Sequence, residues 1–328
     1  MRQKSYNAST MTSLLELGWR RIAFFLVVVA FLGLLGLINM LLFLPDWMGW
    51  LPYNAADKIS AMGHFSFLSS GDTDDLIHEL IFSLILGTAA VGMLTQLWKP
   101  SENIAGQLVA LLAWIALIVT AALTNNWIPQ SLIILFGGLT LLATMIHPAG
   151  RSLFNWFSFA RMNRVLLALV IIAAVPLLPF AVTNINLQRE SGGAAGLHQM
   201  PSFHGGSAAP QQEPLPTQDE AGDEKMHGGL GHFRNFAALS LIILGAGFLA
   251  SMRPKGWRLA AWITGGLPII LGLASVVLPN AESSLSLVWS LVAIAWGIHF
   301  IVMAECIHRG IRIHASHIGR LNLTPLER

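Results

Sequence analysis

The most constraining feature of this chain is the recurrence of apolar stretches about 20 residues long, the length an α-helix needs to cross a bilayer's hydrocarbon core. Eight such stretches occur, near residues 22–45, 76–97, 105–124, 129–147, 162–185, 233–252, 257–279 and 285–307. In hydrocarbon every backbone N–H and C=O must be satisfied within the segment, so each stretch reads as a helix. Composition agrees. Apolar residues make up 54% of the chain and charged residues 11%, against about 25% charged in a soluble domain. The expectation is an all-α integral membrane protein with eight transmembrane helices.

Charges mark the sides. Arg2, Lys4, Arg20 and Arg21 precede the first span, and Lys99 follows the second. Arg151, Arg161 and Arg164 lie between the fourth and fifth spans, Arg253, Lys255 and Arg258 between the sixth and seventh, and Arg309, Arg312, Arg320 and Arg328 after the eighth. Acidic residues crowd the alternate connections, from Asp46 to Asp75, from Glu213 to Glu224, and at Glu282. With an even span count, the preference of basic residues for the cytoplasmic side puts both termini there. The chain then divides into a cytoplasmic segment 1–21, five spans over 22–185, an extracytoplasmic loop 186–232, three spans over 233–308 and a basic cytoplasmic tail 309–328. The first run, Ile22 to Leu44, is too long for a cleaved signal peptide and is expected to stay as an anchor in a plasma (inner) membrane.

The loop 186–232 is rich in Gly, Pro, Gln and acid, a composition that buries too little apolar surface to order itself. It carries His198, Met200, His204, Met226 and His227, imidazole and thioether ligands of the kind copper accepts. Segments Ser13–Arg21, Ser152–Arg164 and the tail from Arg309 mix large apolar residues with Arg, as helices lying in the headgroup plane do. Small and polar residues mark faces for helix packing: Glu79, Ser83 and Gly87; Gly247 and Ser251; Ala261 and Gly265; Ser286, Ser290, Ala293 and Gly297. Pro176, Pro179 and Pro268 should kink their helices.

A weak internal repeat runs through the chain. Gly63-His64-Phe65 corresponds to Gly231-His232-Phe233, and Trp98-Lys99-Pro100 to Arg253-Pro254-Lys255. A repeat of four spans keeps its orientation and gives two parallel four-helix halves. In that arrangement His78 and His232 begin the second and sixth spans at matching depth, where facing imidazoles can ligate heme iron or copper. His299 is the histidine that falls well inside a span, and ionisable groups at that depth mark functional positions by default. The cofactor-binding candidates are therefore His78, His232 and His299.

Other chemistries lack support. The net charge of +2 gives no basis for nucleic-acid binding, and Cys306, the single cysteine, excludes an intramolecular disulfide. No phosphate-binding glycine loop or metalloprotease motif is present; His78-Glu79 lacks a second histidine four residues on. The expected partners are the lipid bilayer and other membrane subunits. The leading expectation is a non-enzymatic accessory subunit of a membrane complex or a small-solute carrier. Heme-binding redox or heme-modifying activity and copper handling through the loop are the alternatives.

Two resemblances attach to these residues. Ile77-His78-Glu79, the turn Met145-Ile146-His147-Pro148-Ala149-Gly150-Arg151, Asn163-Arg164-Val165 and Arg258-Leu259-Ala260-Ala261-Trp262 resemble a group of multi-pass bacterial membrane proteins, which brings no activity with it. In topology, two four-helix halves with histidines on the even spans (His78, His147, His232 and His299) are similar to heme A synthase, which implies paired heme ligands. The chain departs from that family in placing His147 at the inner end and in lacking its glutamate-before-histidine order and outer-loop cysteines.

Overall fold

A computed structural model describes residues 8–48, 76–126, 130–153, 162–197, 232–281 and 284–310. The described residues are helical and contain no strand. We number the helices α1 (Ala8–Met48), α2 (Leu76–Leu94), α3 (Ile104–Thr124), α4 (the consecutive segments Gln130–Leu132, Ile133–Gly137 and Gly138–Ile146), α5 (Arg164–Leu197), α6 (His232–Met252), α7 (Trp257–Val277) and α8 (Leu287–His308). Seven of these contain apolar stretches long enough to cross a membrane. The expected fourth span is shorter: the apolar part of α4 runs only from Ile133 to Ile146 and contains a π-turn over Ile133–Gly137. A π-turn is a local bulge in the hydrogen-bond ladder. Here it lies where Phe136 stacks on Trp114 of α3 and meets Phe31 of α1 edge-on.

Several sequence boundaries shift. The Ser13–Arg21 segment continues into the first span as one helix and does not form a separate surface helix. α5 runs on past residue 185 to Leu197, into the stretch expected to be loop. Its extension is held to the bundle at two points. Gln188 is buried and accepts a hydrogen bond from the Arg234 backbone N–H, and Arg189 Nε donates to the Leu123 carbonyl. The basic segment 154–161, the loop residues 49–75 and 198–231, and the tail 311–328 lie outside the described residues.

α6 is the central helix, packed against α5, α7, α3 and α2, while α7 pairs along its length with α8. Close approach depends on small residues, as expected where lipid supplies no hydrophobic drive between helices. Gly265 of α7 faces Gly297 of α8 backbone to backbone, and Gly272 abuts the Ser290 carbonyl. Gly247 of α6 sits under Val170 of α5 and Thr264 of α7. On α2 the expected Ser83–Gly87 face is not a packing face: Ser83 is exposed and nothing lies within 4 Å of a side chain placed at Gly87. The contact runs instead through Gly92, against Gly106 of α3. Ile81, Ile85 and Met93 fill the buried side of α2, and that apolar demand sets which way the helix turns. The start of α7 and the end of α8 are clamped by Arg258, which holds both carboxylate oxygens of Glu305 at 2.9 Å, with the Trp262 indole donating to the same carboxylate.

Candidate functional sites

Polar side chains in this apolar frame gather in two places. At the end of the bundle where α5 finishes and α6 begins, Arg234 is 1% exposed. Its Nη1 donates to the Asn126 carbonyl at 2.9 Å and its Nη2 to Asn235 Oδ1 at 3.1 Å. The chain end of α3 is shaped to receive it: Asn125 takes a left-handed conformation (φ 52°), which Asn tolerates, and turns the Asn126 carbonyl out of the helix. A guanidinium with five fixed donors suits such a set of carbonyl and amide acceptors. The arrangement ties α3, α5 and α6 together at one end.

At the opposite end, His147 caps α4 and is buried. Its Nδ1 accepts the Ala149 backbone N–H at 3.1 Å, so the ring proton resides on Nε2, which donates to Gln96 Oε1 at 3.1 Å. Gln96 Nε2 in turn donates to the Asn103 carbonyl at 2.9 Å. Phe24 of α1 packs edge-on against the imidazole with ring centres 5.0 Å apart. One residue beyond its helix and without an anionic neighbour among the described residues, His147 is held neutral by burial, which lowers its pKa to about 4. Beside it, Gln107 of α3 donates to Thr144 Oγ1 at 2.8 Å and to the Thr140 carbonyl at 3.2 Å. Gln107 Oε1 is buried with no hydrogen-bond partner among the described residues. Both nitrogens of His147 are engaged, so this cluster functions as a latch joining α1, α3 and α4 to the turn that follows α2.

The sequence candidates fall in different places. His78 is half-buried at the start of α2, its ring edge-on to Phe236 of α6 at 5.8 Å between centres. His232 opens α6, one turn before Phe236. The helix ends that carry these two histidines are therefore neighbours. His299 is not with them: it lies on the exposed, outward face of α8, near the middle of the span and opposite the face that meets α7. His198, Met200, His204, Met226 and His227 lie outside the described residues. Among the described residues no group of three or more His, Cys, Asp or Glu side chains is arranged to hold a metal.

Sequence reasoning missed the Gln96–His147–Gln107 cluster and the anchoring role of Arg234. The legible signal was amide side chains at the ends of apolar spans, which lipid does not tolerate unpaired. A third feature had only the prolines as its signal. An apolar groove of about 550 Å³ opens between α5 and α8, floored by α6 and α7.

No family model, curated protein or solved structure matches the chain.

Proposed function

We propose that this protein is a non-enzymatic subunit that assembles with another membrane protein through the outward face of α8. The observation that carries this reading is His299. An imidazole facing hydrocarbon near mid-bilayer without a hydrogen-bonding partner costs several kcal/mol, of order 2–7 by analogy with amides and hydroxyls. A polar side chain on a partner helix removes that cost. The surrounding face fits the purpose. Val288, Val292, Ala295, His299 and Val302 are all exposed and recur in steps of four and three residues, the spacing of a helix-packing seam. Only Ser290, Gly297, Phe300 and Ala304 of α8 are buried within the chain.

The test is the size and composition of the complex extracted from native membranes under mild detergent. The wild-type protein is expected in a stoichiometric complex with a second membrane protein, and His299→Leu is expected to release it while the subunit stays folded. A complex that survives His299→Leu unchanged would sink the reading. A complex containing only copies of this chain would replace the hetero-assembly with a homo-oligomer.

A second reading, heme binding between α2 and α6, is favoured by the contact of His78 with Phe236, one turn from His232. His299, on the outward face of α8, has no place in it. Protein expressed with added heme should show a Soret band that both His78→Ala and His232→Ala abolish. Its absence in the wild type ends this reading.

A further inference from the structure

The groove between α5 and α8 is shaped by where these helices part. Towards the inner ends, Leu166 and Val170 of α5 share one buried cluster with Phe300 and Ala304 of α8. Trp296, at the base of the groove, lies on Phe300 with ring centres 5.3 Å apart and closes it there. Beyond that level α5 carries Pro176 and Pro179, both in the groove wall, and α7 carries Pro268 in its floor. Each proline removes a backbone donor from its helix, and the groove opens beside all three, in the half of the bundle that bears the 186–232 connection.

We propose that this groove holds one hydrocarbon chain of a membrane lipid, entering from the leaflet on the side of the 186–232 connection. Three observations select that occupant. The lining includes no charged residue, and its one hydroxyl, on Ser240, is already donated to the Phe236 carbonyl. Trp296 presents its ring, because its Nε1 lies beneath the surface. The depth corresponds to one leaflet: the α5 wall runs from Ile172 to Phe180, about 12 Å at the helical rise, against about 15 Å for half the hydrocarbon core. A transmembrane helix, about 10 Å wide and needing the full thickness, would meet the closed end halfway. A flexible chain ends there naturally. The volume falls within the range of small-molecule sites, roughly 300–1,000 Å³.

The experiment uses the full chain in phosphatidylcholine nanodiscs containing phosphatidylcholine with a diazirine in the middle of one acyl chain. After irradiation, peptide mapping should find the label concentrated on Trp289, Trp296 and the α5 segment around Pro176. Ala293→Phe, which fills the groove from α8, should reduce labelling there at least tenfold. Ala295→Phe, placed on the outward face of the same helix, should leave it unchanged and control for folding. Should Ala293→Phe fail to fold, Ala173→Leu fills the groove from α5 and should act alike. Labelling spread evenly around the bundle would mean ordinary boundary lipid and would overturn the proposal. Groove labelling undiminished by a folded filling variant would do the same, as would a polypeptide seated on Trp289 in place of lipid. The His299 seam and the groove share only Val292 at their edge, and His299 itself is not in the lining, so failure of the assembly reading leaves this test intact.

Discussion

At the scale of single residues, the buried polar groups determine where this bundle is sensitive. His147 is the clearest case. Its Nε2–H and Nδ1 both serve the neutral ring, and protonation would force Nδ1 to become a donor against the Ala149 N–H. The folded pKa near 4 lies below the unfolded value of 6.5. The unfolded chain therefore binds the proton first, and stability falls as pH drops from 6.5 towards 4. Complete loss of this contribution is worth up to about 3 kcal/mol, at 1.36 kcal/mol per pH unit. Thermal unfolding in detergent should show the midpoint falling between pH 7 and pH 5, and His147→Gln should flatten that dependence. A wild-type midpoint that is level over this interval would contradict the assignment of a neutral, doubly bonded imidazole. The sequence showed the histidine and its place at the end of an apolar stretch but not its partners, which are 51 positions away at Gln96 and 123 at Phe24; such pairings exist only once the helices meet.

At the scale of elements, the α7–α8 pair is built on backbone contact. A side chain at Gly265 would collide with the Gly297 carbonyl and with Ile301, whereas one at the adjacent Gly266 meets nothing within 4 Å. Gly265→Val should therefore separate the helices and cost about 1–3 kcal/mol, the usual range for overpacking, while Gly266→Val should be close to neutral. Unfolding in mixed micelles measures both, and equal effects would refute the contact. The sequence pattern marked Gly265, Ser290 and Gly297 correctly as packing positions, because small residues at helical spacing have few other uses in lipid. It failed for Ser83 and Gly87 on α2, where the same pattern faces outward. Spacing locates a face on a helix; which face meets a neighbour depends on the neighbour. The reach of α5 past residue 185 has the same origin, since Gln188 accepts from a backbone N–H of α6 and Arg189 donates to a carbonyl of α3.

At the scale of the whole molecule, orientation and connectivity carry the remaining expectation. From the distribution of basic residues the expected orientation has both termini on the cytoplasmic side and the 186–232 connection outside. In a Cys306→Ser background, Ser207→Cys should react with a membrane-impermeant maleimide added outside intact cells. Reaction only after permeabilisation would invert the topology. The sequence alone determined that this is a helical, multi-span membrane protein, because a run of apolar residues in lipid has no other way to satisfy its backbone. It also fixed the charge asymmetry, which is a property of composition along the chain. Only the tertiary structure decided that α6 is central, that Arg234 is an anchor, that His147 is a latch and His299 faces outward, and that a groove opens beside three prolines. Those facts follow from how helices of similar composition rotate and lean against one another. Small residues and a few buried hydrogen bonds set that arrangement, and neither acts until the spans are side by side.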